Sequence, residues 1–222
     1  MPAAAREARS PGAEVPVRPC SPPPRRLGPV RRWPRAALAL ACAVAWVAVA
    51  LEEGARGASP TRVGPPRRLL LRATDLVVLD GDTVALTATG ATSGGRVGPP
   101  GRLVRLLGAD APESPAPWFD GDQEPWASAA ARCLADALQA ARTIELVTRQ
   151  EVDARGRLLG HLLVDGRPAG ELLVARGLAV ETVSSWGDGG FPEEARAIIR
   201  ARPRAPLPFE HPAAWRRAHR RE

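Results

Sequence analysis

From Leu76 to Val164 the apolar residues arrive in short runs, each closed by an Asp–Gly pair or a Gly/Pro-rich stretch, and only residues 126–141 hold apolar side chains at helical spacing. Short apolar runs bounded by turn residues read as strands. The pattern predicts strands over 76–79, 83–89, 102–107, 143–148 and 160–164, with a Gly/Ser/Pro-rich loop over 90–101. A helix over 126–141 starts after Pro125 and aligns Ala130, Leu134, Ala137, Leu138 and Ala141; a second, over 168–176, stops at Gly177. A third is expected over 193–201, ended by Pro203, with a short arginine-rich helix over 213–221 after it. Five short strands with helices after the third and fifth define an α+β class, a small five-stranded barrel with about three helices.

Charge divides the chain more sharply than its total suggests. The 222 residues carry 31 basic and 24 acidic side chains, a net +7, and tyrosine is absent. All the basic residues are arginine, so arginine content alone marks no site. Residues 1–72 carry a local +9, residues 73–194 a local −8 and residues 195–222 a local +6. The basicity therefore belongs to the ends, and the acidic middle must be explained by its chemistry. Residues 1–35 are rich in proline and arginine without apolar periodicity, the mark of a disordered basic region. Sixteen uncharged residues follow, 36–51, the pattern of a cleaved signal or a membrane anchor. Both readings stay open, and both place the remainder outside the cytoplasm, secreted or periplasmic in one case and membrane-anchored in the other. Residues 52–72 read as a linker, 73–202 as the folded domain and 203–222 as an Arg/Pro-rich tail. Cys133 is the lone cysteine of the folded part, a small packed residue with no partner for a disulfide or a zinc site.

Three clusters carry chemistry. Asp80-Gly81-Asp82-Thr83 ends a strand, and alone it reads as an ordinary solvated turn. The run from Arg105 to Glu113 (RLLGADAPE) sets an arginine inside an apolar strand and two carboxylates in the loop after it. A buried arginine needs an anionic partner, so this run is harder to dismiss. Asp153-Ala154-Arg155-Gly156-Arg157 is a turn ahead of a strand, by itself an exposed basic turn.

In this order and spacing the clusters resemble the staphylococcal nuclease (thermonuclease) family, from about Leu76 to Ala179. The likeness extends through Ala127-Ser128-Ala129, the Val164-Asp165-Gly166 hairpin, and Glu171-Leu172-Leu173-Val174 leading to Gly177-Leu178-Ala179. It implies an OB-fold barrel and a metal-dependent nuclease that hydrolyses phosphodiester bonds in DNA or RNA with low sequence selectivity, acting as a monomer. The resemblance implies Ca²⁺ held by Asp82, Asp110 and the main-chain carbonyl of Ala111, with Asp80 supporting through water. Hard oxygen ligands suit Ca²⁺, with Mg²⁺ or Mn²⁺ as lesser choices. It also implies Glu113 as the general base and Arg105 and Arg157 as the pair that grips the phosphate.

This chain departs from the family at several places. Ala111 stands where the family has threonine, and Arg155 where it has tyrosine, so Arg155 is the expected substrate contact there. Later tyrosines give way to Val183 and Ser185, with Trp186 adjacent. The alternative function is a catalytically inactive module on the same fold that binds nucleic acid or protein. Membrane association would run through residues 36–51.

Overall fold

A computed structural model describes residues 64–87 and 102–221. Its strands are β1 (Arg67–Leu71), β2 (Leu76–Val78), β3 (Thr83–Leu86), β4 (Leu103–Leu106), β5 (Ala109–Asp110), β6 (Ile144–Val152), β7 (Leu158–Val164), β8 (Arg167–Pro168) and β9 (Val180–Glu181). The helices are α1 (Trp126–Ala140), α2 (Ala169–Ala175), α3 (Val183–Trp186), α4 (Pro192–Arg200) and α5 (Pro212–Ala218).

Seven strands form one mixed sheet in the order β1-β6-β7-β4-β3-β2, with β8 added on β7. This is a half-barrel with several helices, an α+β fold of the OB-like kind. All its pairings are antiparallel except β4 with β7, where Val104, Arg105 and Leu106 oppose Leu158, Leu159 and Gly160. On its other side β4 pairs with β3, and Thr83 stands opposite Arg105. A small second sheet joins β5 to β9, Asp110 opposite Val180.

Two apolar clusters support these layers. Beneath the sheet, Leu69, Val84, Val104, Leu146 and Leu162 pack with Leu134 and Leu138 of α1. Between the helices the residues are mostly smaller: Ala109, Ala111, Ala130 and Cys133 meet Leu173 and Ile198. Small side chains let α1 approach the segment 109–111 closely, which matters for the site below. Cys133 is buried among these small residues, as its place on a helix suggested.

The structure departs from the sequence expectations in three respects. The sheet gains strands: β1 lies inside the interval 52–72 read as a linker, where Leu69 and Leu71 bury beneath the sheet while their neighbours face out. Among the described residues five α-helices form rather than about three, because short segments such as α3 are stabilised by packing. The interval 203–222 is not a free tail; α5 packs on the domain through buried Trp215. The segments 1–35 and 36–51 and the loop 90–101 lie outside the described residues. Among the described residues no helix is long and apolar enough to cross a membrane.

Candidate active site

The turn between β2 and β3 is built by its own side chains. Asp80 Oδ1 accepts from the Asp82 amide at 2.9 Å, and the Leu79 amide donates to the Thr83 carbonyl at 3.0 Å. Gly81 is the one residue that fits at the tip. A Cβ there would stand 2.6 Å from the Cβ atoms of both Ala111 and Ala130. This approach brings Asp82 to the segment after β5, where its Oδ2 accepts from the Ala111 amide at 2.6 Å.

Arg105 lies at the centre of the cluster. Its strand position, between Thr83 on β3 and Leu159 on β7, lifts its head into a cleft of about 420 Å³. One end of the guanidinium bonds Asp82 Oδ1 and the other bonds Asp110 Oδ1 at 2.6 Å. Gly108, at φ +78°, turns the chain from β4 into β5 and so returns Asp110 toward Arg105. Arg157 reaches the cleft from the turn ahead of β7. Asp153 holds it, accepting from the Arg155 and Arg157 amides at 2.9 Å each and from Arg157 Nε at 2.8 Å. The Arg157 Nη1 donates to Thr83 Oγ1 at 3.4 Å. Arg155 lines the same cleft.

Glu113 arrives on a loop. Its amide donates to Gln123 Oε1 at 3.0 Å, and its carbonyl accepts from the Gln123 amide at 2.9 Å. Gln123 is buried and passes the contact on, donating from Nε2 to the Glu210 carbonyl at 2.7 Å. The Glu113 carboxylate meets Arg216 of α5, which also forks onto Asp110, Nη2 to Oδ2 at 2.9 Å and Nη1 to Oδ1 at 3.1 Å.

All eight residues singled out in the sequence thus meet at one place: Asp80, Asp82, Arg105, Asp110, Ala111, Glu113, Arg155 and Arg157. Arg216 was missed, 103 residues from Glu113 in the chain. The signal available for it was Trp215, a bulky aromatic in a stretch otherwise rich in arginine, just after Pro212 at a helix start.

The carboxylates differ in character. Burial would raise the Asp110 carboxyl, but Arg105 and Arg216 together hold it below the ordinary aspartate range. Asp80 is pushed up by burial, against the opposing pull of Arg105. Glu113 is likewise raised by burial, with Arg216 opposing. A raised carboxylate facing a cleft is suited to accept a proton.

Residues 103–202 match the family described as Staphylococcal nuclease homologue. The chain carries a staphylococcal nuclease-like domain. No curated protein matches the chain. The family match takes in Arg105, Asp110, Glu113 and Arg157 of the nuclease-like domain. It leaves out both the turn that bears Asp82 and the helix that bears Arg216, which the structure brings to the same cleft. The family is of the nuclease type and suits binding of nucleic acid.

The donor set also bears on a metal. Among the described residues no group of three or more His, Cys, Asp or Glu is placed to hold one. Asp82 and Asp110 with a main-chain carbonyl are nonetheless hard oxygen donors, buried and anionic, which fits a hard divalent cation in kind. Guanidinium groups and the Ala111 amide already engage both oxygens of each aspartate, so a cation would share or displace those bonds.

Proposed function

We propose that this domain is a Ca²⁺-dependent nuclease, hydrolysing phosphodiester bonds in DNA or RNA with little sequence selectivity. The observation that carries the reading is the Arg105 fork spanning Asp82 and Asp110, with Arg157 and Glu113 opening on the same cleft. Those charges match what hydrolysis of a phosphate diester requires. Glu113 removes a proton from a water as its oxygen bonds to phosphorus; the ester P–O bond then breaks, and the departing oxygen takes a proton from solvent. Arg105 and Arg157 bind the non-bridging oxygens, whose charge grows as phosphorus becomes five-coordinate; removal of one such donor costs roughly 3–4 kcal/mol of barrier. Calcium would be held by Asp82, Asp110 and the carbonyl of Ala111, and would supply positive charge beside the phosphate. Asp80 supports that set through water, and Arg155 contacts the strand beyond the scissile group.

Cleavage of single- and double-stranded DNA and of RNA by the full chain, with Ca²⁺ and then with a chelator, tests the reading. Metal-dependent cleavage that falls at least about 100-fold in Glu113→Gln is expected. Folded protein that binds nucleic acid without cutting it would favour the inactive module instead. In the same way Asp82→Ala is expected to abolish calorimetric Ca²⁺ binding, and unchanged affinity would remove that residue from the metal site. We further propose that residues 36–51 export or anchor the domain, which then acts outside the cytoplasm as a monomer; N-terminal sequencing of protein from its host separates signal from anchor.

A further inference from the structure

The segment beyond the family match is bolted to the loop that carries Glu113. Trp215 is buried, its ring 5.3 Å from that of Phe119 and stacked on His219 at 4.4 Å. Past the helix, the Asp120 amide donates to the His219 carbonyl at 2.8 Å and the Arg221 amide to the Trp118 carbonyl at 3.0 Å. Arg221 Nε adds a bond to Asp120 at 2.6 Å. Before the helix, Gln123 ties both backbone groups of Glu113 to the Glu210 carbonyl. Between these anchors Arg216 spends its guanidinium on two acids of the cleft, Asp110 and Glu113, while its neighbour Arg217 faces solvent.

We propose that Arg216 is a positioning residue of the site: by bridging Asp110 to Glu113 it fixes the base relative to the Arg105–Asp110 pair. The inference rests on the nuclease reading, with Glu113 as base. A carboxylate on a loop has several rotamers, and only one points at a given water. A planar fork that bonds two acids at once selects that rotamer more tightly than a flexible point charge does.

The test is cleavage kinetics of the full chain with Ca²⁺, comparing Arg216→Ala, Arg216→Lys and, as a control, Arg217→Ala. Arg216→Ala is expected to lower kcat about 10- to 100-fold, the scale of a misplaced catalytic group, with KM changed less than about threefold. Arg216→Lys recovers part of the loss, and Arg217→Ala behaves as wild type. In a Glu113→Gln background the same removal of Arg216 costs less than about threefold, because the residue acts through Glu113. Should Arg216→Ala fail to fold, Arg216→Gln carries the same expectation. An unchanged kcat, a loss confined to KM, or an equal loss with and without Glu113 overturns the proposal. Absence of cleavage by the wild-type chain removes the nuclease reading and this proposal with it.

Discussion

Arg105 and Glu113 reach one cleft by different means. Arg105 is held by a ladder: its strand is paired on both sides, Thr83 opposite on one and Leu159 on the other. Glu113 has no ladder. Its backbone hangs on a single glutamine, and its carboxylate on an arginine from the far end of the chain. The ladder-held residue is fixed by the same bonds that make the sheet, whereas the loop-held one depends on contacts that can be cut while the sheet stands.

The largest effect is expected where the ladder-held side is broken. Arg105→Ala leaves Asp82 without its cation and Asp110 with Arg216 alone, and loss of one partner of a buried ion pair costs about 3–5 kcal/mol. Urea unfolding should show that loss, and a drop under about 1 kcal/mol would mean that Arg105 is structurally dispensable. Next comes Trp215→Ala, which removes a buried aromatic at a local cost of about 3 kcal/mol. Here the comparison predicts a split: protease should cut within 203–221 while the sheet keeps its amide-exchange protection. Uniform loss of protection would show that the two regions unfold as one.

A smaller effect concerns His161 on β7, buried against Phe191 with its Nε2 unbonded. Burial lowers its pKa from 6.5 to about 4. The folded state then binds fewer protons than the unfolded, so no penalty exists above pH 6.5. The penalty grows as pH falls from 6.5 toward 4 and levels off below, reaching about 3 kcal/mol at most. Stability profiles of the wild type and His161→Phe should diverge over that window, and parallel profiles would refute the assignment. Smallest is Gly81→Ala, whose added methyl meets Ala111 and Ala130. Overpacking there costs about 1–3 kcal/mol, and the readout that sharpens the comparison is Ca²⁺ affinity, which should fall as Asp82 is pushed away from Ala111.

Much of the ladder-held half was legible in the sequence, since its signals are local. The DGDT turn, the arginine within an apolar run and the Asp153 turn each occupy a few consecutive residues. The strands over 76–79, 102–107 and 160–164 were placed to within a residue or two of β2, β4 and β7. What escaped was non-local. Strand β1, RRLLL beside prolines and glycine, has a weak local pattern and becomes a strand by pairing with β6, 73 to 81 residues further along the chain. Arg216 was hidden for the same reason, as one arginine among several in a terminal stretch whose role depends on what Trp215 packs against.

The pairing of β4 has one more consequence. Val104 opposes Leu158, the residue after Arg157, so the separation of Arg105 and Arg157 is counted out in backbone hydrogen bonds. The ladder acts as a ruler, and a slip of one residue would turn Arg105 toward the core. The rungs are three consecutive pairs, Val104 to Leu106 against Leu158 to Gly160. Replacing an outward side chain on either strand leaves those rungs in place, so the offset between the two arginines is a property of the backbone.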